Sequence, residues 1–202
     1  MIEERTTACF KNPGAENTRA TLERCIRRLI MGDLANGEKK EEPILIIPTT
    51  TGHSALLAME LLLNHPEIRL IVIGHRYGFK EEGKNEIPDE VQRKIRDRGH
   101  ALYFGTHLFT GLEKAFSNTY GGAYPHRLIA DTLKIFSQGT KVLFEDTVMA
   151  TDAGLVSPNR WVVSAGGTGR GLDTAMVIKS AHSDHFFQMR IREILCMPEG
   201  SL

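Results

Sequence analysis

The sequence predicts an α/β domain with a mainly parallel sheet and helices on both faces, and three observations carry that expectation. Short apolar runs rich in β-branched residues recur at 43–47, 69–74, 101–105, 140–144 and 160–165. Segments with helical spacing separate them, which is the alternation that right-handed β-α-β crossovers produce. The 202 residues, 41% of them hydrophobic, suffice for one domain spanning 1–202 and leave little room for a second.

Each element has a local reason. Asn12-Pro-Gly-Ala-Glu-Asn-Thr18 is a turn-rich lead-in, after which Leu22, Cys25, Ile26, Leu29 and Ile30 fall on one face of a helix over 17–31. The polar stretch 32–42 reads as a solvated loop before the first strand, 43–47. A helix over 54–64 and a second strand, 69–74, complete a β-α-β unit. Residues 77–86 are rich in glycine and charge, and Pro88 suits the first turn of a helix reaching about residue 98, ahead of a third strand at 101–105. Helical segments at 111–116 and 125–137, divided by Gly121-Gly122, lead to a fourth strand at 140–144. A short helix over 145–154 precedes the fifth, 160–165. The runs 174–179 and 190–196 have little helix between them and are expected to pair antiparallel at an edge. The chain shows neither an internal repeat nor a low-complexity segment.

Charge and cysteine content narrow the partners. With 25 basic and 25 acidic side chains, no overall field draws nucleic acid or an anionic membrane. No apolar run approaches the roughly 20 residues of a membrane span. The start Met1-Ile-Glu-Glu-Arg5 lacks the apolar segment of a secretion signal, so a cytoplasmic protein is expected. Cys9, Cys25 and Cys196 are odd in number and without CxxC spacing, which favours reduced thiols over a disulfide framework or structural zinc.

Two loops carry the functional signal. In Ile44-Leu-Ile-Ile-Pro-Thr-Thr-Thr-Gly-His-Ser-Ala55 an apolar run ends in hydroxyls and a glycine where a helix begins. The first N–H groups of a helix lack intrahelical partners and carry positive partial charge. Gly52, His53 and Ser54 can therefore ligate a phosphate, with Thr49, Thr50 and Thr51 supplying hydroxyls. The plainer alternative is a Ser or Thr cap after a buried strand. The second loop, Gly166, Gly167, Thr168, Gly169, Arg170 and Gly171 with Asp173, permits close backbone approach and adds a cation and an acceptor. A flexible hairpin corner with a solvated Asp173 is its plainer reading. Both loops end strands, and open α/β sheets bind ligands beyond the carboxyl ends of their strands.

The threonine loop, in Pro48-Thr-Thr-Thr-Gly-His-Ser-Ala-Leu-Leu57 with the following Ile68-Arg-Leu-Ile-Val-Ile73, is similar to the phosphate loop of the pyruvate kinase C-terminal domain. Nearly the whole chain resembles the stand-alone pyruvate kinase α/β-domain-like proteins. The resemblance rests on Asn12–Thr18, the threonine loop, Gly139-Thr-Lys-Val142 with Val148-Met-Ala-Thr-Asp-Ala-Gly154, and Gly166–Gly171. It implies a three-layer α/β/α domain with strand order 3-2-1-4-5 and an antiparallel fifth strand. It also implies a phosphate role for Thr49, Thr51, Gly52 and Ser54, and flavin mononucleotide (FMN) as a ligand. His53 departs from the basic residue common after that glycine, which argues against a sugar bisphosphate. The catalytic barrel of pyruvate kinase has no counterpart here, so kinase activity is not implied.

Other motifs fail on their chemistry. Gly78-Phe-Lys-Glu-Glu-Gly-Lys84 is followed by Asn85 where a P-loop needs a hydroxyl for magnesium. Gly167-Thr-Gly-Arg-Gly171 has the wrong third spacing for a dinucleotide fingerprint and leads toward a strand. His182 and His185 lack a third ligand in the sequence, so no metal is expected. His53, His75 and His107 lie at or just after predicted strand ends and are the acid–base candidates. Three functions follow: binding of a phosphorylated small molecule, an enzyme using a strand-end histidine on a phosphorylated carbonyl compound, or an allosteric sensor that changes homo-oligomeric state.

Overall fold

A computed structural model describes residues 4–32, 34 and 42–200. Its strands are β1 (Ala8–Phe10), β2 (Ile44–Thr49), β3 (Arg69–His75), β4 (Ala101–Gly105), β5 (Trp161–Gly166), β6 (Thr174–Lys179) and β7 (Arg190–Pro198). They form one seven-stranded sheet of order β1-β7-β6-β5-β2-β3-β4. β6 runs antiparallel to both neighbours, and every other pairing is parallel. The helices are α1 (Thr18–Ile30), α2 (His53–Leu61), α3 (Asp89–Asp97), α4 (Leu112–Tyr120), α5 (Pro125–Lys134) and α6 (Gln138–Asp152).

The two-residue period of the strands builds a core on each face. Leu45, Ile47, Leu70, Val72, Val163 and Val177 pack with α1, α2 and Ile95 of α3. Ile44, Ile46, Ile71, Ile73, Val162 and Met176 pack with Leu143, Phe144 and Val148 of α6. Strands buried on both sides read as continuous apolar runs, which is why 44–47 and 70–73 were legible.

Three sequence expectations need correction. Residues 140–144 are not a strand but the second turn of α6, which also absorbs the short helix expected at 145–154. Ser137 caps this helix by accepting a hydrogen bond from the Thr140 amide at 2.9 Å. From Gly139 to Thr151 only Val142 escapes burial, so α6 has no solvent-exposed face, and its polar residues, Lys141, Glu145 and Asp146 among them, are buried with the apolar ones. Next, 174–179 and 190–196 do pair antiparallel, but not at the edge, because β1 lies outside β7. β1 was invisible because three residues between polar neighbours make no apolar run. Finally, the expected 54–64 helix becomes a 3-10 turn after Leu61.

Most of the expected loop 32–42, and Met1 to Glu3 of the charged start, lie outside the described residues. All three cysteines are free thiols, with Cys25 and Cys196 buried. No helix among the described residues is long and apolar enough to cross a membrane.

Candidate functional site

The chain lays down β2, β3 and β4 toward one side, then returns through α4, α5 and α6 to place β5 on the other side of β2. The carboxyl ends of β2 and β5 therefore flank a topological switch point, the position where open α/β sheets receive ligands. Pairing between these strands covers Leu45 with Val163 and Ile46 with Ser164. Pro48 has no N–H to donate, and beyond Ile46 the two strands run unpaired toward their loops. Both loops singled out in the sequence emerge here.

In the threonine loop, Gly52 adopts φ 97°, a left-handed conformation that turns the chain into α2. A Cβ at this position would sit 2.5 Å from Val91 Cγ1, so only glycine fits. The expectation that the Gly52 amide faces a ligand is corrected: it donates to Thr49 Oγ1 at 3.1 Å. Thr49 is buried and occupied by that bond, and Ser54 is buried as well. Among the described residues, no protein acceptor engages the amides of His53 or Ser54. The candidate seat is thus narrower than expected, limited to those two amides with the half-buried Thr50 and the exposed Thr51 and His53.

The glycine loop is more structural than its composition suggested. Asp173, expected as an acceptor or a solvated group, is fully buried. Its Oδ2 accepts from the amides of Gly14 and Thr168, each at 3.0 Å, and its Oδ1 accepts from Thr174 Oγ1 at 2.8 Å. Thr18 Oγ1 accepts from the Leu172 amide at 3.1 Å and donates to the Ala15 carbonyl at 2.6 Å. Gly171 leaves room for this, because a Cβ there would lie 2.4 Å from Thr18 Oγ1. Gly166 and Gly139 meet just as closely, with a Gly166 Cβ falling 2.2 Å from the Gly139 carbonyl oxygen. Gly167 crosses the Gly171 backbone. Three blocks distant in sequence, 12–18, 137–140 and 166–174, therefore lock together around Asp173. Thr168, Gly169 and Arg170 remain at the tip, half-buried or exposed.

Farther along the same sheet edge, the structure brings together two of the three candidate histidines. His75 Nδ1 lies 2.6 Å from Glu86 Oε2, and His107 Nδ1 lies 3.2 Å from Glu145 Oε2. The two rings are 5.2 Å apart, and Phe79 stacks on His75 at 3.9 Å. Asn85 holds this end of β3 by donating to the His75 carbonyl at 2.9 Å. His53 does not join them and stays exposed on α2. Glu145 also accepts from the Phe109 amide at 2.9 Å and from Lys141 Nζ one helical turn earlier. Burial pushes the Glu145 carboxyl up, but hydrogen bonds and charge from His107 and Lys141 outweigh it and hold the group below its ordinary value. Sequence reasoning missed Glu86, Lys141 and Glu145. The Lys141–Glu145 spacing was a readable i,i+4 signal, had 140–144 been taken as helix.

His182 and His185 flank an exposed turn where each ring meets a carboxylate, Asp152 at 3.1 Å and Asp184 at 2.8 Å. Among the described residues no group of three or more His, Cys, Asp or Glu side chains is placed to hold a metal ion. No protein-family model matches the chain.

Proposed function

We propose that this protein binds a phosphorylated small molecule at the carboxyl ends of β2 and β5. The observation that carries the reading is the emergence of the threonine loop and the glycine loop from adjacent parallel strands at the switch point of the sheet. His53 and Ser54 offer amides at the start of α2, Thr50 and Thr51 offer hydroxyls, and Arg170 offers charge. Support for a pyruvate kinase C-terminal-like fold comes from the run β4-β3-β2-β5-β6, which follows the order 3-2-1-4-5 with a reversed last strand.

FMN is the ligand this resemblance suggests. Its phosphate suits the two amides, and exposed Phe79, stacked on His75 at the end of the neighbouring strand, presents an aromatic face to a flavin ring. Titration with FMN, followed by flavin fluorescence, is expected to saturate. Replacing Gly52 is a poor control because of Val91, whereas Thr50→Val with Thr51→Val removes hydroxyls at accessible positions. That variant should bind at least about tenfold more weakly, as loss of charge-assisted hydrogen bonds requires. Absence of a saturable change in the wild type would discard the flavin form.

A second reading, an acid–base enzyme acting on a phosphorylated carbonyl compound, is favoured by the paired His75–Glu86 and His107–Glu145 dyads. A carboxylate on one ring nitrogen fixes the tautomer and, at His75, leaves the other nitrogen to exchange protons, whereas the second ring nitrogen of His107 is buried, which puts the acid–base role on His75. A bound phosphate found more than about 10 Å from both rings would exclude it, since direct transfer needs contact near 3 Å. A sensor that changes homo-oligomeric state draws support from Leu112, Phe116 and Tyr120, exposed at i, i+4 and i+8 along α4. Light scattering with and without FMN tests it, and an unchanged mass would remove it.

A further inference from the structure

A second cleft, lined by no residue of the threonine or glycine loop, lies between α4, α5 and the first turns of α6 and has a volume of about 410 Å³. That volume is in the range of small-molecule sites. Its wall is predominantly basic: Lys114 comes from α4, Arg127 and Lys134 from α5, and Lys141 from α6. Asp131 is the one carboxylate of the lining, shared between Lys134 at 2.9 Å and Arg127 at 3.6 Å. Among the described residues no hydrogen bond or ion pair engages the Lys114 ammonium or the His126 ring. Since basic and acidic side chains balance over the whole chain, this concentration is local.

The floor of the cleft is built rather than incidental. Lys141 has a side chain only 10% exposed, is held by Glu145, and stands 5.6 Å over the Phe109 ring. Glu145 is itself fixed by the Phe109 amide and by His107. Glu145 balances the Lys141 charge at the floor, so the surplus positive charge of the cleft lies on Lys114 and on Arg127 and Lys134, which share one carboxylate, and that surplus favours an anion over a neutral ligand. Arg127 and Lys134 are seven residues apart on α5, roughly 10 Å along its axis at the α-helical rise. One phosphate is too small to use all of these donors.

We propose that this cleft is a binding site for a small polyanion carrying two or more phosphate groups, separate from the strand-end seat. It stands on the cleft and its charges and does not require the reading given above. The site is tested with inorganic tripolyphosphate, followed by calorimetry and by amide hydrogen exchange. The expected result is saturable binding that weakens with added salt and protects 109–141. Lys114→Gln with Lys134→Gln, both at exposed positions, should weaken it at least about tenfold, the loss expected from removing two charge-assisted contacts. Thr50→Val with Thr51→Val should leave the protection of 109–141 unchanged. Absence of saturable binding overturns the proposal, as does a lysine variant that binds like the wild type. Protection confined to 49–54 also overturns it, while supporting the strand-end seat.

Discussion

Asp146 is completely buried and, among the described residues, neither of its carboxylate oxygens has a hydrogen-bond partner, one residue along α6 from the fully engaged Glu145. Burial first, and then the Glu145 charge, push its carboxyl well above the usual range, with Lys141 opposing them. The folded chain keeps this proton, whereas the unfolded chain releases it once the pH passes about 3.9. Stability from this group is therefore complete below that pH and is lost as pH rises toward the folded value. Asp146→Asn removes the titration, so its urea midpoint should gain on that of the wild type between about pH 5 and about pH 8. Equal gaps at both values would contradict this. Residues of this kind are illegible in a sequence. Asp173 read as an acceptor for a ligand or as a solvated group, yet the amides of Gly14 and Thr168 occupy it inside the fold. Nor could spacing reveal that Glu145 meets His107 across 38 residues.

Among the elements, legibility followed burial geometry. β2, β3, β4 and β5 were visible as apolar runs bounded by turns, and α1 as a one-sided stripe. α6 was not, because a helix enclosed on nearly every side loses its amphipathic period and its Val-Leu-Phe run imitates a strand. Its position against the sheet depends on the cap and on glycine. Ser137→Ala removes the cap and a contact to Thr174 Oγ1 at 2.8 Å, and should cost about 1–2 kcal/mol in denaturant unfolding. Gly166→Ala forces a methyl against the Gly139 carbonyl and should cost about 1–3 kcal/mol or more. If Gly166→Ala were as stable as the wild type, the close approach of α6 to β5 would be wrong. The glycines at 139, 166, 167 and 171 are thus accounted for by packing, and the proposed ligand contact is confined to the tip, Thr168, Gly169 and Arg170.

Across the molecule, chain ends and sheet face are tied by an ion pair that no local pattern announces. Arg28 of α1 grips Glu193 of β7 through Nε at 2.8 Å and a second nitrogen at 2.7 Å, and both side chains are only 6% exposed. Removing one partner leaves a buried charge, so Glu193→Gln should destabilise the fold by about 3–5 kcal/mol. A loss within experimental error would show that α1 is not anchored this way. The same global arrangement decides the central claim, because the threonine and glycine loops form one site only if β2 and β5 are neighbours. Backbone amide NMR during titration with inorganic phosphate tests that claim most directly. Saturable shifts are expected at His53 and Ser54, accompanied by shifts at Thr168, Gly169 and Arg170. Resonances in both loops that stay still throughout, or shifts restricted to 109–141, would contradict a phosphate seat at the ends of β2 and β5.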